Sequence, residues 1–242
     1  AGAALGLGLE SGTPVISLGT SGTAFMVSET RTVDPSGTVA GFADATGRYL
    51  PLAATLNCTL AIDRIAGWLR LDREAASADT DVVVLPYLDG ERTPNVPRAA
   101  ATIAGLRHTT TPEQILRAAY EGAAASLLAA IDVIDEHSSG VDAAAPIVLV
   151  GGGARGTTWQ RVIGELSGRA VEVPAAQELV ALGAAAQAAS MITGEPPDAI
   201  ARRWNTRRGD TLDAPPRNES ALERIRTVQA ATAELNAIDL AP

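Results

Sequence analysis

The chain has 242 residues, 46% of them hydrophobic and 19% charged, a composition that supports a buried core in one large domain or two small ones. Its 19 basic residues are all arginine and face 28 acidic ones, a net charge of −9 that argues against nucleic acid or an anionic membrane as the main partner. The lack of lysine excludes a P-loop of the G-x-x-x-x-G-K-[ST] type, and no apolar run approaches the roughly 20 residues of a membrane span.

The opening Ala1–Leu9 is apolar but has no basic region ahead of it, so it does not read as a signal peptide. Without an initiator methionine the sequence reads as starting within a longer protein. A single cysteine, Cys58, cannot form an internal disulfide and points to a reducing, cytoplasmic compartment. With one cysteine and two distant histidines, His108 and His137, no metal constellation is expected.

In chain order, strands are predicted over residues 14–18, 23–29 and 38–43, with Asp34-Pro35-Ser36-Gly37 turning between the last two. Three short strands in succession suggest an antiparallel meander. Residues 47–57 read as a short edge and connection. Leu60, Ile62, Ile65, Ala66 and Leu69 recur at helical spacing, predicting a helix over 59–71. The uninterrupted run Val82–Leu85 fits a strand buried on both faces, and 87–105 is turn-rich. Thr111 as cap, Pro112 in the first helical position and Gln114 three residues after the cap open a long helix over about 112–136. A buried strand over 147–150, a helix over 157–167, a strand over 171–173 and a helix over 178–192 follow. The end from Pro196 reads as mostly helical, with Pro215-Pro216 separating two segments. Strands first, then alternating helix and strand, predict an α/β fold with a mixed sheet.

Three motifs carry chemistry. Gly19-Thr20-Ser21-Gly22-Thr23 interrupts two apolar β-rich runs. An ordinary hairpin would use its glycines for positive φ, but five small or polar residues in succession exceed what a plain turn needs. Their N–H groups and hydroxyls form a nest suited to a phosphate anion. The second motif is Gly151-Gly152-Gly153-Ala154-Arg155-Gly156 after a strand. Gly151, Gly153 and Gly156 fit G-x-G-x-x-G, and Glu172 falls where a ribose ligand belongs, so an NAD-dependent oxidoreductase is a rival reading. Against it, strands precede the motif and the remainder reads as mostly helical; the glycines equally let a flat adenine lie on backbone. The third is Asp89, Glu91 and Arg92 in a proline-bounded loop, read as paired charges holding the loop's own shape rather than as an acid–base pair. The small residues Ala118–Ala125 of the long helix read as tight packing, with hinging as an addition, and Trp68, Trp159 and Trp204 as core or edge packing.

Together these segments resemble the C-terminal domain of the FGGY carbohydrate kinases, from Ala1 to about Arg203. The matches are Ile16–Thr23, Leu85–Pro94, Ile103–Leu106 with Ile115–Gly122, Gly151–Arg155 and Ala181–Ala185, five in order. Within the family, the loop Tyr87-Leu88-Asp89-Gly90-Glu91-Arg92-Thr93-Pro94 looks more like xylulokinases than like glycerol kinases or gluconokinases.

The resemblance implies one actin-like, RNase H-like ATPase lobe over residues 1–242, whose absent N-terminal lobe would carry the first phosphate loop, the general base and most of the pocket for a pentulose such as D-xylulose. ATP with Mg2+ is the implied cofactor. Gly19, Thr20, Ser21 and Gly22 match the family's second phosphate loop, Gly152, Gly153 and Ala154 its adenosine motif, and Thr157 a polar position beside adenine. The helix near Asp63 and Gly67 would wall the adenine pocket, and Glu178 reads as a helix cap rather than a ligand contact. No catalytic residue and no metal ligand carries over, so the chain alone is expected to be inactive. A non-catalytic nucleotide-binding module is the other alternative. A partly apolar face near Gly19–Gly22 and Gly90–Gly105 is expected for the partner lobe, with a homodimer as a further outcome.

Overall fold

The computed structural model describes residues 1–138 and 140–237. Strands β1 (Val15–Leu18), β2 (Gly22–Phe25), β3 (Val39–Ala43), β4 (Tyr49–Thr55), β7 (Ile147–Val150), β8 (Val171–Pro174) and β9 (Gly209–Leu212) form one sheet in the order β3-β4-β2-β1-β7-β8-β9. The middle strands β1, β7 and β8 run parallel, and antiparallel strands flank them on both sides. Strands β5 (Val83–Leu85) and β6 (Thr102–Ala104) make a separate two-stranded sheet.

The period of two along the central strands sorts their side chains onto two faces. Ile16, Leu18, Ala24, Met26, Ile147 and Leu149 enter the larger core. Their neighbours Val15, Phe25, Val27, Val148 and Val150 enter the smaller one. Helices α2 (Thr59–Leu69), α3 (Pro112–Ser138), α4 (Thr157–Ser167) and α7 (Glu219–Ala231) supply the larger core. Helices α1 (Gly2–Gly6) and α5 (Leu179–Thr193) cover the other face, and α6 (Pro197–Trp204) packs against α5.

Several expectations are corrected. The first three strands are not a meander: β3 pairs with β4, which inserts between β3 and β2. The stretch expected as an edge and connection is therefore an interior strand. Pro51 falls just past the regular β2 ladder, which begins at Leu52; its carbonyl still accepts from Met26 N at 3.4 Å, and its missing N–H costs that weak pair one bond. Val83–Leu85 is buried as expected but pairs antiparallel with β6 rather than joining the main sheet. The C-terminal part adds the exposed edge strand β9. Trp159 is buried and stacks edge-on against Tyr120, whereas Trp68 is 62% exposed and Trp204 40%.

The long helix bears out the tight-packing reading. A Cβ on Gly122 would collide with the Val84 carbonyl of β5 and stand 2.9 Å from Pro86. Thr111 and Gln114 exchange backbone N–H bonds at 3.1 and 3.4 Å, the capping box expected from their spacing. Buried Arg117 ties α3 to α4, pairing with Glu121 at 2.8 Å and with Glu165.

Candidate functional site

Leu18 opposes Gly22 across the β1–β2 hairpin, leaving Gly19, Thr20 and Ser21 as its tip. Neither Gly19 nor Gly22 adopts positive φ, so the ordinary-hairpin reason for these glycines does not hold. Packing demands Gly22, where a Cβ would stand 2.6 Å from both Leu127 Cδ2 and Thr55 Oγ1. At Gly19 a Cβ would meet only the Ser21 carbonyl, at 3.2 Å, so its one close neighbour belongs to the turn itself. Thr20 and Ser21 are exposed, and neither hydroxyl is bonded to another protein group among the described residues. The turn is anchored from behind: the Gly19 carbonyl accepts from Thr59 N (3.1 Å) and Thr59 Oγ1 (2.7 Å) at the start of α2.

The second glycine turn follows β7. Because β1 and β7 are parallel neighbours, both turns leave the sheet at one edge. Gly151 takes φ +88°, the left-handed region where glycine is favoured, and a Cβ there would stand 2.8 Å from the Leu18 carbonyl. Gly153 N donates to that same carbonyl at 2.9 Å. A Cβ on Gly153 would lie 2.7 Å from Thr59 Cγ2 and 3.0 Å from Leu18 Cβ. Residues 19–22 and 151–154, distant in the chain, therefore share Leu18 and Thr59 as common neighbours.

A cleft of about 570 Å³ opens beside the second turn, lined by Ser17, Gly151, Gly152, Arg155, Pro174 and Glu178 among others; Gly19, Thr20, Ser21 and Gly22 lie outside its lining. It lies beyond the carboxyl ends of β1, β7 and β8, where open α/β sheets bind ligands. Glu178 is exposed and stands at the N-cap position of α5, as expected, at φ +54°, but its side chain makes no capping bond.

Thr157 is placed differently from its proposed companions. It lines a neighbouring cavity of about 440 Å³ rather than the cleft. Its hydroxyl donates to Glu74 at 2.9 Å, and the same carboxylate oxygen accepts from Thr158 N at 2.9 Å. Glu74 thus occupies the N-terminus of α4, where a dinucleotide pyrophosphate would have to lie. Glu172, the rival reading's ribose ligand, is paired with Arg207 at 2.6 Å and stands opposite Val148, not at the end of β7. Both features remove the oxidoreductase reading.

In the third motif the charges do not pair with one another. Glu91 is 1% exposed and accepts from Leu56 N (2.5 Å), Asn57 N (3.2 Å), Asn57 Nδ2 (3.0 Å) and Arg92 N (2.7 Å). The loop does hold shape, but through this buried carboxylate gripping the β4–α2 junction. Sequence reasoning missed that role and missed Glu74 altogether. Nearby Cys58 is buried, which pushes its thiol up to about 12 and leaves it protonated. On α2, the expected wall, Asp63 pairs with Arg73 at 3.4 Å, beside Glu74.

The C-terminal domain of the FGGY family of carbohydrate kinases matches residues 15–192, from β1 almost to the end of α5. The chain belongs to this family. Two FGGY relatives named xylulose kinase, from Streptomyces coelicolor and Streptomyces rubiginosus, are each 60% identical over 97% of the chain. The xylulose kinase of Bifidobacterium adolescentis superposes over 95% of the chain, and 46% of its own, with a TM-score of 0.82 at 37% identity. The fold is that of the actin-like ATPases, as the resemblance implied. The chain spans about half the length of the curated relatives it matches, 48% in both Streptomyces proteins.

Proposed function

We propose that this chain is the ATP-binding half of a sugar kinase that converts D-xylulose to D-xylulose 5-phosphate. The observation carrying this reading is the convergence of the Gly19–Gly22 and Gly151–Ala154 turns at one end of the sheet, with an open cleft beside the second of them. The free N–H groups and hydroxyls of Thr20 and Ser21 suit the β- and γ-phosphates. Charge in phosphoryl transfer spreads over the phosphoryl oxygens, and preorganised donors stabilise it without reorganising. Gly152, Gly153 and Ala154 offer side-chain-poor backbone to the adenosine.

The substrate would be MgATP. No group of three or more His, Cys, Asp or Glu residues among the described residues could hold a metal. The ion would be held through phosphate oxygens, with Glu178 the one carboxylate lining the cleft. The sugar and the general base would be held by the part of the relatives that this chain does not match. Relatives named xylulose kinase, at 60% identity, support the choice of sugar.

Among the described residues no helix is long and apolar enough to cross a membrane, and a reducing cytoplasm suits the lone cysteine. Exposed apolar side chains flank the hairpin tip (Leu56, Leu60) and the β6 end (Ile103, Leu106), where a partner lobe was expected; more lie on α5 (Val180, Met191, Ile192). These faces suit the second half of a kinase or a second copy of the chain. Calorimetry with ATP and NADH, together with an assay of D-xylulose phosphorylation, tests the proposal. Binding of ATP without NADH, and no turnover by these 242 residues alone, is expected. NADH binding without ATP binding would overturn it.

A further inference from the structure

The N-terminus of α4 follows a glycine-rich turn, and its N–H groups and dipole would draw phosphate. This chain fills that position itself. The Glu74 carboxylate accepts from Thr157 Oγ1 and Thr158 N, both at 2.9 Å. Its second oxygen lies 2.8 Å from where a Cβ on Gly156 would stand, so the glycine cap leaves room for it.

The segment bearing Glu74 is held at several points. Arg73 pairs with Asp63 of α2, and its carbonyl accepts from Tyr120 Oη at 3.1 Å. Arg161 donates to the Ser77 carbonyl at 3.1 Å, and Arg224 of α7 to the Thr80 carbonyl at 2.8 Å. Three helices thus fix a charged side chain against a fourth, over a stretch that is otherwise exposed.

We infer that Glu74 is an intramolecular anion that closes α4 to phosphate and so sets the polarity of nucleotide binding. With α4 filled and negative, a triphosphate is repelled from that end. Its charge is accepted only at Gly19–Ser21, which leaves the uncharged base for the Gly153 end. This rests on the ATP reading above and names a specificity residue within it. Glu74 is a positioning residue, since it acts through Thr157 and Thr158.

Inorganic pyrophosphate is the probe, titrated into the 242-residue chain while backbone amide NMR follows Thr158 and Thr20. In the unaltered chain Thr20 should shift and Thr158 should not. Glu74→Ala should make Thr158 shift as well, with a second pyrophosphate site by calorimetry. Glu74→Gln keeps an acceptor on the helix but drops the charge. It should give the same Thr158 shift more weakly, with pyrophosphate held there about fivefold less tightly than in Glu74→Ala. If Glu74→Ala fails to fold, Glu74→Gln decides alone. A Thr158 that stays still in the folded variants, or that moves equally in the unaltered chain, overturns the inference. Failure of the unaltered chain to bind ATP overturns the kinase reading instead, and a Thr158 shift confined to the variants would still stand.

Discussion

The two glycine turns look alike as strings of small residues, yet each is built for a different reason. At the hairpin, Gly22 is fixed by core packing, while the polar tip at Thr20 and Ser21 is left free. At the strand-to-helix turn, Gly151 and Gly153 let backbone approach β1 closely, and the helix N-terminus is already taken by Glu74. Each turn is also backed by a glutamate from elsewhere in the chain. Buried Glu91 fixes the junction leading to Thr59, which holds Gly19. Exposed Glu74 fixes the start of α4. A glycine-rich turn before a helix is therefore no guide to where phosphate binds until the helix N-terminus is known to be empty.

The largest expected effect tests the hairpin's support. Glu91→Ala would strand the buried N–H groups of Leu56 and Asn57, costing about 3 kcal/mol in thermal or denaturant unfolding. A loss near zero would show that the junction does not depend on it. Next comes the contrast within the hairpin itself. Gly22→Ala drives a methyl into Leu127 and Thr55 and should cost about 2 kcal/mol. Gly19→Ala, which meets only the Ser21 carbonyl at 3.2 Å, should cost under about 1 kcal/mol. Equal losses at both would erase the distinction between a packed and a free side of the turn.

A Thr20→Ala, Ser21→Ala double variant should unfold like the unaltered chain but bind ATP about thirtyfold more weakly, since about 1 kcal/mol is expected for each of the two hydrogen bonds lost. Unchanged calorimetric affinity would move the phosphate elsewhere.

The smallest effect lies away from both turns. Asp34 accepts from Val39 N at 2.7 Å and Ser36 N at 2.8 Å, and these bonds hold its carboxyl at about 2, below its ordinary 3.8. A depressed carboxyl stabilises the fold above its ordinary value, and that contribution is lost as pH falls from about 4 towards 2. Asp34→Asn should flatten acid unfolding in that window while leaving ATP affinity untouched; an unflattened profile would show that Asp34 carries none of it.

Much of the fold was legible where side-chain periodicity was strong. The apolar run Ile147–Val150, the capped helix from Pro112 and the helix from Thr157 formed where the pattern placed them. Strand β4 was missed because Pro51 and its alanines weaken a strand pattern, and the pairing partner that tolerates the proline is not local. Strand β9 was missed because an exposed edge needs no apolar alternation: Gly209, Asp210 and Thr211 are all exposed. Of the site, both turns could be read from composition, and their convergence followed once β1 and β7 paired in parallel. Glu74 and Glu91 could not be read, since each acts on a segment dozens of residues away and neither lies in a recognisable pattern. Thr157 showed the limit of motif transfer. Its place at the start of a helix was foreseen, but the glutamate that occupies its hydroxyl was not.

The most direct measurement follows the backbone amides of Thr20, Ser21, Gly152 and Gly153 by NMR as ATP is added to the chain. Both turns should shift along one saturation curve at a single molar equivalent, because one nucleotide touches both. Shifts confined to one turn, or two curves with different midpoints, would contradict a shared nucleotide site.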